Sequence, residues 1–178
     1  MAGKSPLKHP VYVIDTSYLD ELYAVPGKST EAHVGEVRSR FRNAIIQKGR
    51  FYVPVPCIFE LGNHIGAKRS HDLARKLLKD VEASLQDQGP WILTPNADFQ
   101  VLSRLCRAFV GEFVQQAISL TDAFTIFEAR RLKRERYKGK GFRVHIWTKD
   151  RSLKSHEPDR EPDPFVGSGG AGGAGAVS

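Results

Sequence analysis

Val11-Tyr12-Val13-Ile14 is a short apolar run rich in β-branched residues, and Asp15-Thr16-Ser17 ends it with three polar side chains. A run of that length bounded by polar residues predicts a buried strand. Phe51 to Val53, Trp91 to Leu93 and Arg143 to Thr148 repeat the pattern further along. Longer stretches with helical spacing lie between them. Glu31 to Gln47 places Val34, Val37, Phe41, Ala44 and Ile45 on one side, with Gly49 as its expected C-terminal stop. Pro54 and Pro56 precede a helix holding Ile58, Leu61 and Ile65, and His71 to Gln86 carries Leu73, Leu77, Leu78, Val81 and Leu85. Further helices surround Val101, Leu105 and Phe109 and span Ser119 to Lys133, whereas Asp20 to Thr30 reads as a connection. Strands separated by helices require crossover connections. The predicted fold class is therefore α/β, a three-layer sandwich with a central, mostly parallel sheet. Such sheets bind ligands outside the carboxyl ends of their strands, near the switch in strand order.

The chain has 178 residues, with 27 Lys and Arg against 20 Asp and Glu, a net charge of +7. Forty per cent hydrophobic and 26% charged residues are ordinary globular values and exclude a wholly disordered chain. The expected division is an N-terminal extension over 1–10, one folded domain over 11–156, and residues 157–178 as an acidic, proline-containing linker followed by a Gly/Ala/Ser tail. Cys57 and Cys106 stand alone, without the paired spacing of a zinc ribbon or a redox motif. Neither a signal-like apolar segment nor a run approaching the roughly 18 apolar residues of a membrane span occurs. A cytoplasmic location without a membrane partner is the expectation. A pI of about 9.5 favours an anionic partner, nucleic acid first.

Four carboxylates fall where an α/β sheet holds its ligands. Asp15 follows the first strand, Glu60 opens the helix after the second, Asp122 opens the long helix, and Asp150 follows the fourth strand. Each also has a local role open to it. Asp15 and Asp150 can cap helices, Glu60 suits a first helical turn, and Ser119 with Asp122 fits a capping box. Brought together, however, carboxylates raise one another's pKa and call for a counter-charge. Hard oxygen donors without thiolates favour Mg2+ or Mn2+, which lowers the pKa of a bound water and neutralises a phosphoryl oxygen.

Val11-Tyr-Val-Ile-Asp-Thr-Ser17, Val55-Pro-Cys-Ile-Phe-Glu60, Leu120-Thr-Asp-Ala123 and Trp147-Thr-Lys-Asp150, in that order, resemble the PIN-domain nucleases, and among them the VapC-type toxins of type II toxin-antitoxin operons. The resemblance implies a PIN-like fold and a Mg2+- or Mn2+-dependent endoribonuclease. It implies Asp15, Glu60, Asp122 and Asp150 as metal-holding catalytic residues, with Thr16 or Ser17 and Thr148 as supporting hydroxyls. It further implies an RNA substrate, a cognate antitoxin and a homodimer. The apolar stripes Ile58, Leu61, Ile65 and Leu73, Leu77, Val81 also suggest pairing of two chains.

Arg130, Arg131, Lys133, Arg134, Arg136, Lys138, Lys140 and Arg143 lead from the long helix towards the strand before Asp150. Two readings stand side by side: a solvated helix end, whose cations suit the macrodipole, and a tract of RNA phosphate contacts. Tyr137 and Phe142 interleave with them and are read either as base-stacking groups or as core. His64, one turn after Glu60, is either a second group at the same site or a partly exposed helix residue. The competing functions are a non-catalytic RNA- or partner-binding module and an aspartyl-phosphate phosphatase, although the latter wants Asp-x-Asp where this chain has Asp15-Thr16-Ser17. No GxSxG elbow, P-loop or GxGxxG fingerprint is present.

Overall fold

The computed structural model describes residues 9–95, 99–139 and 141–166. Most of the expected N-terminal extension, Lys140 and the Gly/Ala/Ser tail lie outside the described residues. The fold is α/β. Strands β1 (His9–Ile14), β2 (Arg50–Pro54), β3 (Ile92–Thr94) and β4 (Phe142–Trp147) form an all-parallel sheet in the order β3-β2-β1-β4. The helices are α1 (Thr16–Tyr23), α2 (Glu31–Ile46), α3 (Val55–Ala67), α4 (His71–Leu85), α5 (Phe99–Ala108), α6 (Leu120–Arg131) and α7 (Arg151–Lys154).

Period-two alternation in β1 divides the core. Tyr12 and Ile14 join Phe51, Val53 and Trp147 on one face, against Tyr18, Leu19, Tyr23, Val37, Leu61 and Ile65. Val11 and Val13 join Tyr52, Val144 and Ile146 on the other, against Ala123, Ile126 and Ala129 of α6. Burial on both faces explains why the strands read as continuous apolar runs. The chain leaves β1 for β2 and β3 on one side and returns to β4 on the other. The crevice between β1 and β4 is thus the topological switch point; Asp15 follows β1 directly, and Asp150 follows β4 after Thr148 and Lys149.

Three local expectations are revised. Asp15 caps α1 as its sequence position allowed, but α1 runs on to Tyr23, so the expected connection from Asp20 starts inside a helix. Lys48, not Gly49, takes the left-handed turn after α2, with φ 57°. Gly49 is needed for space, because a Cβ there would stand 2.8 Å from the Ala44 carbonyl oxygen. Finally, the folded body continues beyond 156. Residues 157–166 return along the outer edge of β4, where Asp159 accepts from the Val144 amide at 2.8 Å and Glu157 from the Ile146 amide at 3.3 Å. Lys154 Nζ donates to the Ile146 carbonyl at 2.8 Å, and Tyr18 Oη to that of Phe165 at 2.8 Å. Side chains thereby satisfy a strand edge that would otherwise invite pairing with another chain.

Among the described residues no helix is long and apolar enough to cross a membrane. The stripes on α3 and α4 largely serve the core. Leu61 and Ile65 are buried, and Ile58, Leu73 and Leu77 pack against the same cluster.

Candidate functional site

Asp15 extends the β1–β4 ladder by one residue, its amide donating to the Trp147 carbonyl at 3.0 Å. The chain then turns into α1, and the Asp15 carboxylate becomes its cap. Oδ2 accepts from the Ser17 amide at 3.2 Å, Ser17 Oγ at 2.9 Å and Thr148 Oγ1 at 3.0 Å. Thr148, 1% exposed, also accepts from the Asp150 amide at 3.0 Å, so one hydroxyl ties the ends of β1 and β4 together. Thr16 Oγ1 donates to Glu60 Oε2 at 2.9 Å. Ser119 Oγ donates to Asp122 Oδ2 at 2.6 Å and accepts from the Asp122 amide, which is the capping pair expected from the sequence. Asp150 Oδ1 caps α7 through the amides of Ser152 and Leu153.

A common pattern runs through the four. In each carboxylate one oxygen is engaged and the other, Asp15 Oδ1, Glu60 Oε1, Asp122 Oδ1 or Asp150 Oδ2, accepts no hydrogen bond from a described residue. None of the four forms an ion pair with a described Lys, Arg or His. Their charges nevertheless reach one another. Burial pushes the Asp15 carboxyl up from 3.8 to about 6, and the Asp122 charge adds to the rise against the lowering by Ser17 and Thr148. Burial likewise raises Asp122, with Asp150 and Glu60 contributing. Asp122 and Asp150 line one cavity of about 170 Å³.

Beneath them Cys57 is fully buried, and its thiol is pushed far up by burial and by the Asp15 and Glu60 charges. It is an inert core group. Among the described residues no group of three or more His, Cys, Asp or Glu side chains stands close enough to hold a metal ion as placed. The four carboxylates suit a hard divalent cation by donor type, all oxygen with one free atom each, rather than as a finished cage.

Sequence reading missed what holds this edge in place. Thr16 and Asp20 on α1 face Glu60 and His64 on α3 as two rungs, the second with His64 Nδ1 3.0 Å from Asp20 Oδ1. His64 is therefore paired with α1. Lys149 forms an ion pair with Glu21, which is fully buried, while the Lys149 amide donates to Ser17 Oγ at 2.9 Å. The matching i, i+4 spacings of Thr16/Asp20 and Glu60/His64 were the available signal, usable only if α1 is read as a helix.

The basic run does not join the carboxylates. α6 runs from Asp122 at the carboxyl edge of the sheet towards the opposite edge, where Lys133 Nζ meets the carbonyl of Phe142, the first residue of β4, and Tyr137 Oη meets Arg50, the first of β2. Arg134 stands twelve positions after Asp122 along the helical stretch, about 18 Å by helical rise. Most of these cations have partners: Arg130 with Glu112 at 2.8 Å, Arg131 with Glu128 at 2.9 Å, Lys133 with Asp159 at 2.7 Å and Arg134 with Glu135 at 3.0 Å. Arg136 lies 5.9 Å from the Tyr52 and Tyr137 rings, and Lys138 is exposed. Tyr137 is core, 2% exposed and hydrogen-bonded to Tyr52, and Phe142 packs against the same cluster. Tyr137 offers no free ring for base stacking, and Phe142 is partly buried against the Tyr137 ring. The chain matches no family model and no curated protein.

Proposed function

We propose that the edge formed by Asp15, Glu60, Asp122 and Asp150 is the catalytic centre of a divalent-cation-dependent endoribonuclease. The supporting observation is the shared pattern of four carboxylates from four segments, each tethered through one oxygen and free at the other, without a counter-cation among the described residues. Mg2+ or Mn2+, when bound, supplies the counter-charge, a more acidic water and a Lewis acid for the phosphoryl oxygen. The residues of the chain do the rest. Asp15, anchored by Ser17 and Thr148, and Asp122, anchored by Ser119, hold their free oxygens in fixed positions at the switch point. Glu60 and Asp150 complete the donor set from the flanks. The net charge of +7 suits a polyanionic substrate, and RNA is the reading favoured by the sequence motifs. In the same reading the chain is the toxin of a toxin-antitoxin pair, silenced by a partner that places a Lys or Arg among the carboxylates.

A gel assay of pooled RNAs tests this directly. Cleavage with Mn2+, none with EDTA, and none by Asp15→Asn or Asp122→Asn despite native helical circular dichroism is the expected outcome. Cleavage that persists in EDTA or in both variants overturns it.

A second reading has its own support, because Asp15, Asp122 and Asp150 each make helix-capping contacts. On that reading the chain is an RNA- or protein-binding module and the acids are structural. A melting temperature raised by Mn2+ in the wild type but not in Asp15→Asn separates the two.

A further inference from the structure

Three of the four acids at the carboxyl edge stand on long elements. Asp15 caps the eight residues of α1, Glu60 lies within the thirteen of α3, and Asp122 is in the first turn of the twelve of α6. The Asp150 carboxylate is held only by α7, four residues long, through the amides of Ser152 and Leu153. A single helical turn has no stability of its own, so contacts outside it decide where it sits. Thr148 holds the Asp150 amide, but the carboxylate goes where α7 goes.

Two side chains fasten α7. Leu153, 3% exposed, enters the core that α6 shares. Lys154 is itself only 8% exposed, a rare place for a lysine unless it is paired. Its Nζ donates to the Ile146 carbonyl at 2.8 Å and to Glu161 Oε2 at 2.6 Å, and stands 2.7 Å from Glu157 Oε2. Three acceptors thus match the three hydrogens of the ammonium. The acids are fixed in turn. Glu157 accepts from the Ile146 amide at 3.3 Å and the Glu161 amide at 2.7 Å, and Glu161 Oε1 accepts from Trp147 Nε1 at 3.1 Å. β4, α7 and the segment after 156 therefore meet at one ammonium.

Stability alone does not account for this arrangement. Desolvation offsets much of the attraction within a buried ion pair, and replacing such a pair by apolar residues is often neutral or stabilising. What three acceptors around one ammonium add is direction, because each hydrogen has one place to point.

We propose that Lys154 is a positioning residue for Asp150: clamped by Glu157 and Glu161 against Ile146, it sets α7 and through α7 the Asp150 carboxylate. The segment after 156, outside the domain expected from the sequence, is thereby a working part of the candidate site. That the carboxylate so placed receives a divalent cation rests on the nuclease reading; that the clamp places it does not.

Two variants of the full chain test this. Lys154→Met keeps the stem and removes the ammonium, and Glu161→Gln is a milder change that carries the test if Lys154→Met fails to fold. The first readout is amide hydrogen exchange without metal. The Ser152 and Leu153 amides, bound to Asp150 Oδ1, should exchange about tenfold faster, a larger factor than at Val11 and Val13 in β1. The second is Mn2+ affinity by electron paramagnetic resonance. It should weaken about tenfold, the lower end of what removing a support of a metal ligand costs, and should weaken no further in chains that already carry Asp150→Asn. Exchange at Ser152 and Leu153 accelerated no more than at Val11 and Val13, or Mn2+ losses that add to that of Asp150→Asn, overturn the proposal. A wild type that binds no Mn2+, with the faster exchange still seen in the variants, overturns the nuclease reading and supports the clamp.

Discussion

The two edges of the sheet hold opposite charges under opposite conditions. At the carboxyl edge Asp15, Glu60, Asp122 and Asp150 have no ion pair among the described residues, and burial, with repulsion among them, raises the pKa of Asp15 to about 6 and that of Asp122 above its usual value. At the other edge the cations after α6 are largely matched: Glu128, Glu112, Glu135 and Asp159 stand against Arg131, Arg130, Arg134 and Lys133. α6 reaches both, with Asp122 in its first turn and Arg131 as its last residue. A charge run gains meaning from what remains unmatched, and here that is the acidic end. The basic run, prominent in the sequence, is largely ion-paired, although its cations outnumber the acids that pair with them.

The cation nearest to being an exception is Lys149, and removing it should have the largest effect. Lys149 sits in the loop between Thr148 and Asp150, yet its ammonium pairs with Glu21 rather than with the four acids. Glu21 is fully buried and its Oε2 has no partner among the described residues. Lys149→Met would leave its carboxylate facing only His33, whose Nδ1 lies 3.6 Å from Oε1, at a cost of about 3–5 kcal/mol. Adding Glu21→Gln should recover most of the loss. Urea unfolding of the two single variants and the double one measures the coupling. Additive losses would show that the pair does not hold the loop.

Asp15 sharpens the contrast in both stability and activity. Its folded pKa, about 6 against the usual 3.8, means that the native state binds its proton more tightly than the unfolded chain. Without added metal, the Asp15 contribution to stability should therefore be fully present below about pH 4, be lost as pH rises through about 6, and stay flat above that, where Asp15 is ionised in both states. The shift corresponds to at most about 3 kcal/mol. Asp15→Asn should flatten this part of the pH profile and leave the protein at least as stable at pH 7, while cleavage falls by more than about 100-fold, the upper end of what removing an orienting partner of a metal ligand costs. Thermal unfolding between pH 4 and pH 7 with EDTA follows the first effect. A variant less stable than wild type at every pH would make the cap the main role of Asp15.

The asymmetry is only partly legible in the sequence. β1, with Val11 to Ile14 buried on both faces, can be read from apolar runs because a parallel central strand has no solvated side. The acids after the strands can be read because the order of elements fixes which edge they occupy. α1 cannot, since its buried Asp20 and Glu21 look like loop residues until His64 and Lys149, 44 and 128 positions away, pair with them. Segment 157–166 misleads for a similar reason. Pro, Asp and Glu suggest a solvated linker, whereas Asp159 and Glu157 are acceptors for the amides of an edge strand. Long-range pairing of charged groups leaves no period in the sequence.

The smallest effect belongs to the basic edge, and it tests whether an RNA substrate crosses the molecule. Arg134, Arg136 and Lys138 are exposed, and at about 18 Å from the carboxylates by helical rise they are too far away to touch a phosphate being cleaved. Reversing all three should change stability by no more than about 0.5 kcal/mol each. Cleavage of a short oligoribonucleotide should be unchanged in rate and metal dependence. For a long RNA the geometry predicts that the reversal removes a single phosphate interaction at most, so the slope of log affinity against log salt should move by no more than about 0.7. Arg134 is already paired with Glu135, and Arg136 lies against two tyrosine rings, which leaves Lys138 as the cation most open to a phosphate. Salt titrations of binding with short and long RNAs separate the cases. A drop of about two in the slope, seen only with the long RNA, would mean that the strand runs from the acidic edge across α6 to the far edge, and the basic run would then be part of the substrate path after all.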